Sequence, residues 1–248
     1  MWIVLKAIKN QLFNQSSSTI ALIHSSFMIR LMNKPFRQTT AADNIIGELD
    51  RALNNIFCKQ TSSRPFPADK SESSAPPLSS EQKRQAASLM RVNHAGEMAA
   101  QALYQGQSLT ARDPSLADKL KHASLEEADH LNWCRRRLEE LDERPSLFDP
   151  IWYAGSFAIG MAAGIAGDRW NLGFLAETEK QVVRHLNNHL ERLPENDERS
   201  RAIVEQMKID EQGHADLAEH LGAAELPQSV NKVMQLTSKV MTSVAEKI

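Results

Sequence analysis

Apolar residues along most of this chain recur at the three- and four-residue intervals of amphipathic helices. The spacing predicts a short helix over Asp43 to Phe57, with Ile45, Ile46, Leu49, Leu53, Ile56 and Phe57 on one side and Asp43 as its N-cap. Four longer helices follow. The first starts from Ser79 or Ser80 as cap and runs to about Ala111; the second starts at Asp113-Pro114, an N-cap followed by Pro at the first helical position, and runs to about Asp142. The third covers about Trp170 to Arg192, and the fourth about Asp197 to Leu221 after the Leu193-Pro194 turn. Pro227 opens a last helix whose Val230, Val233, Met234, Thr237, Val240, Met241 and Val244 form one stripe, expected to pack on the bundle or close its mouth.

One stretch breaks the alternation. Asp149 to Gly167 carries no charge after its first residue until Asp168 and is rich in Gly and Ala, with Gly160 and Gly164 at small-residue spacing. It is marginal in length for crossing hydrocarbon. Two readings stand: a buried crossover helix, or a segment set into one membrane leaflet with Trp152, Tyr153 and Trp170 as interfacial aromatics. With short connections on either side, the order becomes a hairpin, an apolar crossover and a second hairpin. The expected fold is all-α, a four-helix bundle with an apolar crossover helix and an extra C-terminal helix, occupying residues 79–248.

The rest of the chain differs in composition. Residues 1–42 carry Lys6, Lys9, Arg30, Lys34 and Arg37 with no acidic residue. This is a basic extension, either a targeting or membrane-surface segment or an upstream stretch preceding a true start at Met28 or Met32. Residues 58–78, with Pro65, Pro67, Pro76, Pro77 and many serines, are expected to be a disordered linker. At 248 residues and a net charge of −2, the chain has room for one domain with a core, and no basic cluster interleaved with aromatics points to nucleic acid. Cys58 and Cys134 form no spacing motif, which suits a reducing compartment.

The chemistry lies in a repeated motif. Glu127-Ala-Asp-His130 and Glu211-Gln-Gly-His214 each place a carboxylate and an imidazole three positions apart, on one helix face, where both can reach one cation. Each has a Glu on the preceding helix, Glu97 and Glu179. Two helices giving one Glu and two giving Glu-Xaa-Xaa-His form the ligand set of a carboxylate-bridged two-metal site. Four carboxylates and two imidazoles suit iron(II) or manganese(II); zinc would take fewer ligands. Glu127 and Glu211 are the natural bridges, Glu97 and Glu179 terminal ligands, with His130 and His214 one per metal. Glu126 and Asp210, one residue before each bridge, are expected to orient the imidazole of the opposite hairpin. Such a pair activates dioxygen, and an apolar pocket beside it would favour oxygen insertion into an organic substrate.

Arg91-Val-Asn-His-Ala-Gly-Glu97, Glu127-Ala-Asp-His130, Glu179 with His185-Leu-Asn-Asn188, and Asp210-Glu211-Gln-Gly-His214 closely resemble the demethoxyubiquinone hydroxylase family in its bacterial form. The resemblance spans about residues 80–220, and all six ligand positions match. It implies a ferritin-like fold, two iron(II) ions per chain, and hydroxylation by dioxygen of the ring of a polyprenylated methoxy-methyl benzoquinol in ubiquinone biosynthesis. It also implies a peripheral protein on the cytoplasmic side of the cell membrane, working beside other ubiquinone-biosynthesis proteins. Electrons come from an external reductant, NADH being one the family can use, since no dinucleotide-binding Gly pattern is present. His94 and His185 become candidate catalytic residues, positioning the ring or moving its protons. The competing readings are a ferritin-like peroxidase or iron-storage protein, and a non-catalytic prenyl-quinone binding subunit.

Overall fold

A computed structural model describes residues 40–59, 61–70 and 76–248, all helix and loop. The basic extension expected over 1–42 therefore lies almost wholly outside the described residues. Helix α1 spans Ala41–Phe57. Thr40, one position outside it, caps its start: Asp43 N donates to Thr40 Oγ1 and Thr40 N donates to Asp43 Oδ2. Asp43 is thus the reciprocal partner inside the first turn, and Thr40 holds the N-cap place expected of Asp43.

The ferritin-like helical bundle is built from α2 (Ser80–Thr110), α3 (Pro114–Glu140), α4 (Asp149–Ile165), α5 (Asp168–Arg192), α6 (Glu198–His220) and α7 (Gln228–Ala245). Their starts follow local chemistry. Ser79 and Gln82 form a capping box, Asp113 accepts from Ser115 N ahead of Pro114, and Asp197 accepts from Ser200 N. Helices α2 and α3 pack as one hairpin and α5 and α6 as another, while α4 lies along α2 and α7 leans on α2 and α5. Each ligand-bearing helix has apolar residues before and after its ligands. One apolar cluster holds Leu89, Met90, Trp133, Leu138, Leu186, Ile203 and Met207, and another holds Tyr104, Leu116, Leu120, Leu172, Leu175 and Ala218. A polar layer is thereby clamped between two dry ends.

The crossover α4 is a packed helix on one side. A Cβ on Gly106 would lie 2.4 Å from Phe157 O, and one on Gly160 would lie 2.3 Å from Leu103 O, so the two backbones touch where glycine alone fits. Its other side, with Ile151, Ile159 and Ile165, is exposed. Tyr153 departs from the interfacial position expected of it. The side chain is buried and its hydroxyl donates to Gln105 Oε1, because a phenol that finds a buried amide gains more by turning inward.

Residues 61–70 also depart from the expected disordered linker; residues 60 and 71–75 lie outside the described residues. Phe66 and Ala68 are buried in the Leu89–Trp133–Ile203 cluster, with the Arg136 guanidinium 4.0 Å from the Phe66 ring. Pro67–Lys70 forms one 3-10 turn beside α6. A segment too polar to fold alone is held by an aromatic anchor inserted into a core that already exists.

Candidate metal centre

The three-residue spacing holds Glu127 beside His130 on α3 and Glu211 beside His214 on α6, and both pairs are buried. Glu97 reaches in from α2 and Glu179 from α5. Ligand atoms of Glu97, Glu127, His130 and Glu211 all lie within 4.8 Å of one another, and so do those of Glu179, Glu211 and His214. All six residues therefore converge as the motif spacing predicts.

Two of the carboxylates span both histidines. Glu127 Oε2 is 3.1 Å from His130 Nδ1 and its Oε1 is 3.1 Å from His214 Nδ1. Glu211 Oε1 is 3.0 Å from His130 Nδ1 and its Oε2 is 3.2 Å from His214 Nδ1. Glu97 Oε2 lies 3.8 Å from His130 Nδ1, and Glu179 Oε1 accepts from the Tyr104 hydroxyl at 2.8 Å. Both imidazoles thus turn Nδ1 inward and Nε2 outward. The outward nitrogens meet carboxylates of the opposite hairpin, His130 Nε2 to Asp210 Oδ2 at 2.9 Å and His214 Nε2 to Glu126 Oε2 at 2.7 Å. With its outer nitrogen donating to a carboxylate, a ring presents the inner lone pair to a cation.

Electrostatics show what the cluster lacks. Burial pushes Glu97 and Glu179 well above the usual carboxylate range; His130 only partly offsets this for Glu97, and the charges of Glu127 and Glu211 add to it for both. Burial would raise Glu127 too, but the two adjacent histidines reverse the balance and hold it far below that range. For His130 burial is overcome by the charge of Glu127 and by hydrogen bonds to Asp210 and Glu127, holding it well above the ordinary imidazole value. His214 is likewise pushed up to about 12, against burial, chiefly by the Glu127 and Glu211 carboxylates beside its Nδ1. Glu127 Oε1 and Glu211 Oε1, although near the histidines, have no partner in hydrogen-bonding geometry. Buried carboxylates with unmatched oxygens are costly, and cations between the two histidines would satisfy them, so the donor set fits a metal pair.

The metal-ligand layer opens on an apolar cavity of about 450 Å3 between α2, α4, α5 and α7. Glu97, Glu179 and Glu211 lie on its wall, with Leu103, Phe174 and Met234 among its apolar lining. Helix α7 packs on the bundle and lines the cavity with Val230, Met234 and Met241 of its stripe, while Val233, also on the lining, is still largely exposed.

The two candidate catalytic histidines separate. His185 lines the cavity, its Nε2 has no partner, and its ring lies 3.9 Å, centre to centre, from that of His189, tilted at 58°. Burial lowers it to about 4, so it is neutral near pH 7. His94 is not on the cavity wall. It is fully buried with Nδ1 3.1 Å from Asp149 Oδ2 at the start of α4, out of line for a hydrogen bond, and burial lowers its pKa as well.

Sequence reasoning missed Arg64. Its Nε donates to Asp129 Oδ2 at 2.9 Å, its Nη1 is 2.8 Å from Asp210 Oδ2, and its guanidinium lies 4.7 Å from the centre of the Trp133 ring. No periodicity or spacing within a Pro- and Ser-rich stretch marks it.

The sequence pattern of the family described as Ubiquinone biosynthesis protein COQ7 matches residues 84–245. The chain is 55% identical over 206 residues to a protein of Polynucleobacter asymbioticus named 3-demethoxyubiquinol 3-hydroxylase, covering 83% of this chain and 98% of that one. Proteins of the same name are 54% identical in Azoarcus sp., over 83% of this chain and 99% of the relative, and 51% identical in Xanthomonas euvesicatoria, over 86% and 98%. With that pattern matched over residues 84–245 and such relatives matched over nearly all of their own length, the chain belongs to the Ubiquinone biosynthesis protein COQ7 family.

Proposed function

We propose that this chain hydroxylates the ring of a polyprenylated demethoxyubiquinol with dioxygen, using two iron ions held by Glu97, Glu127, His130, Glu179, Glu211 and His214. The observation that carries this reading is the opening of three of those carboxylates directly onto an apolar cavity of about 450 Å3. That volume suits a substituted ring with the first part of an apolar tail, and a water-poor wall suits oxygen insertion over iron storage. When bound, the irons supply the electrons that activate dioxygen.

The chain's own residues do the rest. Glu127 and Glu211, which span the two histidines, would hold the irons together with Glu97 and Glu179. Asp210 and Glu126 keep the proton on the outer nitrogen of each ring. Tyr104 fixes one oxygen of Glu179. His185 offers a neutral ring to a quinol hydroxyl. With a pKa of about 4 it is a poor base at neutral pH, so its part is to position the ring. His94 is buried beside Asp149 at the start of α4 and, being off the wall, is assigned no direct part in the chemistry.

The substrate arrives from a membrane surface. No described helix is long and apolar enough to cross a bilayer. Exposed Ile151 and Ile159 on α4 and Val233 on α7 line the cavity, and α7 also exposes Leu236 and Val240, an arrangement that suits peripheral docking on the cytoplasmic face. An external reductant such as NADH supplies the electrons.

The test is anaerobic loading with iron(II), then heavy-isotope dioxygen with a demethoxyubiquinol, and mass spectrometry of the quinone. One heavy oxygen atom in the product is expected. Iron oxidation with unlabelled, unchanged quinone would overturn the reading in favour of iron storage. Vesicle flotation of Leu236→Glu beside the unsubstituted chain tests docking, with weaker flotation expected.

A further inference from the structure

The two halves of the centre look alike at the histidines and differ behind them. Asp210, which holds His130, is itself held: Gln206 donates to its Oδ1 at 3.0 Å and Arg64 Nη1 lies 2.8 Å from its Oδ2. Arg64 in turn is fixed on Asp129, a nearly fully buried carboxylate that also accepts from Ser63 N at 2.6 Å and from the Ser62 and Ser63 hydroxyls at 3.0 Å each. The guanidinium covers Trp133, and Nη2 stands 3.1 Å from His130 Nε2. The 61–70 segment thus lays a lid of hydrogen bonds over one histidine.

Nothing comparable lies behind His214 among the described residues. Glu126, its outer partner, is 40% exposed, against 15% for Asp210, and holds no second hydrogen bond among them. The inner ligands are paired across the pseudo-twofold, while the outer supports are locked on one side and open to water on the other.

We propose that Arg64 is a positioning residue that locks the His130 half of the centre, so that a divalent cation at His130 is retained while one at His214 exchanges first. This rests on the reading that the six residues hold two cations. Arg64 acts through Asp210: a carboxylate fixed by a planar fork keeps one direction for the His130 N–H, and the ring cannot turn to let its metal go. Glu126, free to move in water, imposes no such restraint.

The experiment loads the full-length chain with cobalt(II) and follows its visible absorption during a chelator chase. Two cations and two release phases are expected, the slower at least about 10-fold slower than the faster. Arg64→Gln should speed the slow phase by about 10- to 100-fold and leave the fast phase alone. Arg64→Lys should not restore it, since a single ammonium cannot span Asp129 and Asp210. Ser63→Ala loosens the same segment without touching Asp210 and separates lid from lock. If it speeds release as much as Arg64→Gln does, Arg64 has no positioning role. Circular dichroism of the metal-free variants confirms that each is folded. Two bound cations leaving in one phase would overturn the inference and spare the two-metal reading, whereas a chain that binds fewer than two cations would overturn that reading itself.

Discussion

Asp210 on α6 accepts from the outer nitrogen of His130 on α3 at 2.9 Å, so the residue that orients one hairpin's metal ligand belongs to the other hairpin. Glu126 returns the arrangement to His214 at 2.7 Å. The centre therefore also staples the two hairpins. Asp210→Asn can turn an amide N–H toward the imidazole and disfavour the tautomer that coordinates, so iron(II) affinity should fall by about 10- to 100-fold. Titration of iron(II) into the anaerobic protein measures this, and unaltered affinity removes Asp210 from any role in orienting the ring.

Glu179→Gln separates the cost of the carboxylate from its use. Burial and the charges of Glu211 and Glu127 already favour the neutral form of Glu179 in the metal-free protein, and Gln keeps an acceptor for the Tyr104 hydroxyl. The metal-free variant should melt within a few degrees of the unsubstituted chain. Without an anionic ligand it should lose one of two bound irons and with it the hydroxylation. Hydroxylation at the full rate would show that Glu179 is not a ligand.

How much of this could be read from the sequence depends on how local the responsible chemistry is. Ser79, Asp113 and Asp197 announce helix starts because a cap bonds within three residues, and Glu211 and His214 announce a shared face because the helix fixes it. The cross-hairpin partners followed from symmetry between two copies of one motif. Tyr153 was misplaced because an aromatic beside an apolar run looks the same whether it meets lipid or, as here, Gln105. Arg64 was invisible because its order comes from Asp129, Trp133 and Asp210, which are distant in sequence. His94 and His185 sit in equally suggestive motifs, and only the cavity tells them apart.

Two glycines of α2 should respond in opposite ways to the same substitution. Gly106→Ala puts a methyl 2.4 Å from Phe157 O and 2.8 Å from Met161 N, backbone atoms that cannot step aside. It should destabilise the metal-free protein by about 1–3 kcal/mol as α4 is pushed off α2. Gly96→Ala meets nothing within 4 Å and sits mid-helix, so it should gain up to about 1 kcal/mol. Because Gly96 lines the cavity beside Glu97, the stabilised variant should nevertheless raise KM for the quinol. Urea unfolding and steady-state kinetics read the two effects, and unchanged KM in Gly96→Ala would place the ring elsewhere in the cavity.

The adjacent pair His185 and His189 should make the protein sensitive to acid independently of the metal ligands. Burial lowers His185 to about 4, and burial with the neighbouring His185 and Arg192 charges lowers His189 to about 2, from an ordinary value of 6.5. Between 6.5 and those values the unfolded chain binds protons that the folded chain refuses, so stability is intact above about pH 6.5 and falls as pH drops below it. At pH 5 the loss from His189 alone is on the order of 2 kcal/mol. His189→Leu removes that share while leaving every metal ligand in place. Urea midpoints of the metal-free chain at pH 7.5 and pH 5 should therefore draw closer together in the variant. If both proteins lose the same stability across that interval, His189 is protonated in the folded state and the pair is not held neutral by burial.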